Sequence, residues 1–166
     1  MALTDYAQYD EVRAALGVND VELKDAVLAL PIYLMGLVRE LNKISTSLPA
    51  AFSAVAELAE DDRSDAQQAL YDATRLFSAY AVAKQVGVSL PSFMPKDITD
   101  GKAAVGRFSG APYEETLARI DQMFGALRED LATAYASYAS EDAPSPLGPP
   151  TSFIAVARAS DPVTGT

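Results

Sequence analysis

Cysteine and histidine are both absent from the 166 residues. Without cysteine there is no disulfide and no thiolate metal site, and the composition suits a reducing cytoplasm. Without histidine the commonest general base and the imidazole ligands of zinc are missing as well. An enzyme is therefore disfavoured, although magnesium on carboxylates or a bare Asp/Glu pair stays open as chemistry. No apolar run approaches the roughly 20 residues that a membrane-spanning helix requires. The opening MALTDYAQYDEV lacks a basic stretch followed by an apolar one, so no secretory signal is expected. Positive charge is scarce: 13 Lys and Arg stand against 23 Asp and Glu, a formal net charge of -10. That balance disfavours a binder that works by neutralising nucleic-acid phosphates. Acidity alone otherwise means little more than solubility.

What is present is an ordinary globular composition, 49% hydrophobic and 22% charged, with enough chain for one domain and a tail. Helical signals dominate and no internal repeat is evident. A first helix is expected over residues 9–16, with Val12, Ala15 and Leu16 on one face and Gly17 as its stop. Asn19 and Glu22 fit a capping box. The following segment runs to about Ile44 with Pro31 inside it, which predicts a break just before the proline. Ser47-Leu48-Pro49 starts a short helix to about Leu58. After the polar EDDRSD link, a long helix is expected from Ser64 or Asp65 to about Val86, with Gly87 ending it. Two prolines in VSLPSFMPKD predict that residues 88–97 are not regular helix, with Phe93 and Met94 packed down.

The last helix has the clearest pattern. From Pro112 as its first position, Tyr113, Leu117, Ile120, Phe124, Leu127, Leu131, Ala134 and Tyr138 recur at alternating spacings of four and three. This is a heptad seam, either the buried stripe of a bundle helix or an intersubunit coiled coil. The flanking positions are poor in paired charges, which favours the stripe.

After Tyr138 the segment ASEDAPSPLGPP carries four prolines and reads as an extended linker. TSFIAVA (residues 151–157) then reads as one short β-strand, and Asp161-Pro162 closes the chain with turn chemistry. A lone strand cannot satisfy its own backbone groups. It is either a disordered end or an arm that docks on a sheet edge elsewhere. Phe153, Ile154, Ala155 and Val156 favour docking, because apolar side chains are costly to leave in water.

The candidate chemistry is thin. ITDGKAAVGRF (residues 98–108) offers Gly101-Lys102, but no glycine stands in the five residues before Gly101, and Lys102 is followed by Ala103 instead of Ser or Thr. It is not a phosphate-binding loop. Asp97 and Asp100 likewise lack the spacing of a calcium-binding loop. A helix start capped by Thr99 or Asp100 is expected there, with Phe108 inward. Glu57, Glu60, Asp61 and Asp62 read as a solvated cluster, and Glu114-Glu115 as acids favoured at a helix N-terminus. Glu40 with Lys43, and Arg128 with Glu129 and Asp130, read as surface pairs. No catalytic residue, cofactor site or metal site is assigned.

Taken together, LTDYAQYDEVRAALGVNDVELKDAVLALPIY, RLFSAYAVAKQVGVSLPSFMPKDITDGKAAVGRF, the helix opening APYEETLARI and the final DPVTG resemble the head–tail adaptor (connector) proteins of tailed bacteriophages. The resemblance covers most of the chain, with no single diagnostic motif. It implies a small helical bundle made in the host cytoplasm and built into the virion neck, in a ring of about twelve copies. Such a ring lies beneath the portal protein, extends the DNA channel and docks the next neck or tail protein, with no catalysis, cofactor or membrane. The resemblance also implies a C-terminal arm that contacts the portal or a neighbouring subunit. The expected architecture is thus an all-α bundle over residues 1–138, with a long last helix, and a proline-rich arm over 139–166 carrying one short strand. Phe153, Ile154, Ala155, Val156, Asp161 and Pro162 are its expected contacts. Other neck components, such as a stopper or tail-completion protein, and a cytosolic helical regulator are the alternative readings.

Overall fold

A computed structural model describes residues 2–93, 98–99, 104–105 and 111–142. Six helices carry the fold: α1 (Tyr9–Leu16), α2 (Asp25–Leu28), α3 (Pro31–Ile44), α4 (Leu48–Ala56), α5 (Asp65–Phe93) and α6 (Ala111–Asp142). Two-residue strands β1 (Ile98–Thr99) and β2 (Ala104–Val105) stand between α5 and α6. The expectation of a predominantly helical chain with a long last helix holds, with β1 and β2 as the departure from an all-α bundle. The arm residues, Phe153, Ile154, Ala155, Val156, Asp161 and Pro162 among them, lie outside the described residues.

Local chemistry sets most helix ends. The backbone N–H of Gln8 donates to the Glu11 carboxylate (2.7 Å) and opens α1. Gly17 closes it in the left-handed region (φ 69°), with Val18 N–H returning to the Arg13 carbonyl. Asn19 and Glu22 form the expected reciprocal cap, each side chain accepting from the other's backbone N–H at 2.9–3.0 Å. That cap closes a single turn, however, and α2 begins at Asp25. Pro31 and Pro49 sit in the first turns of α3 and α4, where a missing N–H has no intrahelical partner to lose. Ser64 and Gln67 cap α5 reciprocally. The Arg63 guanidinium holds the Val55 and Leu58 carbonyls at the end of α4 and lies 3.9 Å over the Tyr71 ring.

The core lies where α1, α3, α4 and α6 meet α5. Leu37 and Leu41 of α3, Phe52 of α4, Leu70, Phe77, Val82 and Val86 of α5, and Ile120 and Leu131 of α6 are fully buried. Each contributes on the order of 1.5–3 kcal/mol of burial free energy. Tyr6, Phe52 and Tyr71 stack in a column with centroid spacings of 5.1 and 5.6 Å, tying the N-terminal segment to α4 and α5.

Three expectations are corrected. First, α5 does not stop at Gly87 but runs through Gly87 and Pro91 to Phe93. Gly87 is buried, and its missing Cβ leaves room for neighbours: a Cβ there would lie 2.8 Å from Leu117 Cδ2 and 3.3 Å from Leu16 Cδ2. Packing between helices keeps α5 going where local propensity ends it. Second, the helix start expected at Thr99 is not found at that residue, while Asp100, Gly101 and Lys102 lie outside the described residues. Ile98 pairs with Val105 and Thr99 with Ala104 in an antiparallel ladder, so Thr99 is a strand residue, not a cap. The β-branched Ile98, Thr99 and Val105 supply strand preference. Third, α6 continues past Tyr138 to Asp142, four residues into the segment assigned to the arm. No helix breaker stands before Pro144.

Candidate functional site

The seam of α6 is occupied within the chain. Ile120, Leu127 and Leu131 are buried, and Tyr113, Leu117, Phe124, Ala134 and Tyr138 are half-buried. Their neighbours come from α5, which runs antiparallel to α6. Phe124 meets Phe77 with ring centroids 5.2 Å apart, Lys84 Nζ stands 4.5 Å over the Phe124 ring, and Lys84 also pairs with Asp121. Ser64 Oγ donates to Glu141 (2.8 Å) at the far end. The Tyr113 hydroxyl donates to the Gly87 carbonyl, and burial raises its pKa above the ordinary tyrosine value. Tyr135, beside the seam, shares a 2.6 Å hydrogen bond with Ser47. Hydrogen bonds with Ser45 and Ser47 lower its pKa.

The acidic candidates behave as surface groups. Glu57, Glu60, Asp61 and Asp62 are exposed. No group of three or more acidic residues is placed to hold a metal ion among the described residues. Lys43 and Glu40 form the expected surface pair at 2.6 Å. No helix among the described residues is long and apolar enough to cross a membrane.

Three further features emerge in the folded chain. Arg13 is buried at 7% exposure. Its Nε donates to the Leu23 carbonyl (2.9 Å), while its terminal nitrogens bond Asp10 (2.7 Å) and Asp25. Arginine in an amphipathic helix reads as surface by default, and nothing local distinguishes this one. Between α1 and α5 lies an open groove of about 620 Å³, lined by Ala14, Ala15, Ala79, Tyr71 and Tyr80 and by the Glu11–Arg75 pair (2.7 Å). On α3, Ile32 and Met35 are 66% and 70% exposed although the helix buries Tyr33, Leu37 and Leu41. A strict apolar/polar count would have found them, since the amphipathic face of α3 already accounts for its buried positions without them.

Comparison with protein-family models, with characterised proteins and with solved structures gives no match to this chain.

Proposed function

We propose that this chain is a structural protein of a tailed phage, the head-to-tail adaptor that forms a ring beneath the portal and carries the DNA channel towards the tail. The observation that carries this reading is the division of apolar surface. The seam of α6 is spent on α5, whereas Ile32 and Met35 stand exposed one turn apart on α3. A second apolar run, TSFIAVA, follows a proline-rich link. Two unlike apolar segments in one sequence suit a ring, since one face of each subunit meets a different face of the next. The net charge of -10 suits a tube through which DNA slides, because fixed negative charge repels phosphate.

In this mechanism the bundle is preformed and the arm, centred on Phe153 to Val156, orders on the portal or on the adjacent copy. The test is composition and truncation. The protein should copurify with virions at ring stoichiometry. A chain ending at residue 142 should fold with full helix content and fail to enter portal-containing particles. Absence from virions, or normal incorporation of the shortened chain, would overturn the reading.

A further inference from the structure

Around Gly87 three local features weaken α5 at one place. Gly87 itself has the poorest helix propensity of any non-proline residue. Pro91, four residues on, has no N–H, so the Gly87 carbonyl lacks its i+4 helical donor. Ser89 Oγ turns back onto the carbonyls of Gln85 (3.1 Å) and Val86 (3.3 Å), a contact that competes with the helix ladder and bends helices. The carbonyl that Pro91 abandons is nevertheless satisfied, by the hydroxyl of Tyr113 in the first turn of α6.

We infer that Gly87 is a hinge in α5 and that the Tyr113 hydroxyl is the latch that holds it closed. The contact joins residues 26 apart in sequence. It therefore ties the last turns of α5 to the first turn of α6. Upstream of Gly87, α5 is fixed by buried Phe77, Val82 and Val86. Downstream, Val88 is 74% exposed and Leu90 is the buried anchor. Release of the latch frees residues 88–93 as a unit and uncovers Leu90, while the rest of α5 stays packed. The inference concerns a conformational device of the fold and does not depend on the phage reading.

The test is a double-mutant cycle read by amide hydrogen exchange. In the wild-type background, Tyr113→Phe should speed exchange at residues 88–90, 92 and 93 by roughly three- to tenfold, the scale of one net intramolecular hydrogen bond. Residues 66–84 should be unchanged. Pro91→Ala restores a backbone donor to the Gly87 carbonyl, so Tyr113→Phe should have little effect in that background. No acceleration in the single variant, or acceleration spread over the whole of α5, would overturn the latch. An equal effect in both backgrounds would do the same, because Pro91 would then play no part.

Discussion

The Arg13 guanidinium of α1 bonds the Asp25 carboxylate at the start of α2 while its Nε holds the carbonyl of Leu23 between them. One buried side chain thus ties down the link that follows α1. Its acid partners are largely in water, with side chains 91% exposed for Asp10 and 68% for Asp25. Their removal leaves the guanidinium with other partners. Removal of Arg13 leaves the Leu23 carbonyl unpaired instead.

Arg13→Ala should therefore cost about 2–3 kcal/mol, the price of an orphaned carbonyl together with lost packing of the side-chain stem. Asp10→Ala should cost no more than about 1 kcal/mol, as exposed ion pairs do. Urea unfolding of the two variants checks the order. An Asp10 variant as damaged as the Arg13 variant would refute this assignment of roles.

The two mid-helix glycines of α5 and α6 should respond with opposite sign. A Cβ at Gly125 would meet nothing within 4 Å. Gly125→Ala should then stabilise the protein by roughly 0.5–1 kcal/mol through helix propensity alone. At Gly87 the same methyl would press on Leu117 and Leu16. Overpacking of about 1–3 kcal/mol then exceeds the gain in propensity, and Gly87→Ala should be destabilised by about 1 kcal/mol. Thermal unfolding separates the two.

The same glycine shows where sequence legibility ends. The bundle class, the break before Pro31, the Gly17 stop and the α6 seam were all legible, because each rests on local chemistry or on helical period. By local chemistry alone Gly87 and Pro91 are helix terminators. They do not end the helix, because the compensating groups, Tyr113 and Leu117, come from another helix and have no signature near residue 87. Thr99 fell to a close competition, in which capping chemistry and strand preference describe the same few residues and the pairing with Ala104 decides. Of the candidate site, the seam was legible as a periodicity. Arg13 and the α1–α5 groove arise from tertiary juxtaposition and were not.

Alkaline pH should weaken the fold with a defined sign. Burial raises the pKa of Tyr113 above 10.0, and burial followed by the nearby Asp5 charge raises that of Tyr6. Each phenol stays protonated in the folded chain at a pH where the unfolded chain has begun to lose its proton. Their contribution is complete below pH 10.0 and is lost as pH rises through the raised values. Tyr135, lowered by its serine hydrogen bonds, acts in the opposite sense and offsets part of the loss. Urea titrations from about pH 9 to about pH 11 should show stability falling. Tyr113→Phe and Tyr6→Phe should each flatten that fall, and an unchanged slope in both would contradict the burial of these hydroxyls.

The exposed pair on α3 offers a way to separate folding from assembly. Ile32 and Met35 are one helical turn apart and mostly in water. Glu at both positions removes apolar surface that the isolated bundle does not use, so subunit stability should change by no more than about 0.5 kcal/mol. A neighbouring chain seated on this face would gain on the order of 1–2 kcal/mol from each side chain and would lose it in the variant. On the proposed ring reading, the doubly substituted protein should keep its wild-type unfolding midpoint and far-ultraviolet dichroism while failing to form higher oligomers or enter particles. Sedimentation velocity measures the first failure and mass spectrometry of purified virions the second. Unchanged assembly would assign the contact to another face, whereas a large drop in the unfolding midpoint would mean that α3 packs differently within its own bundle.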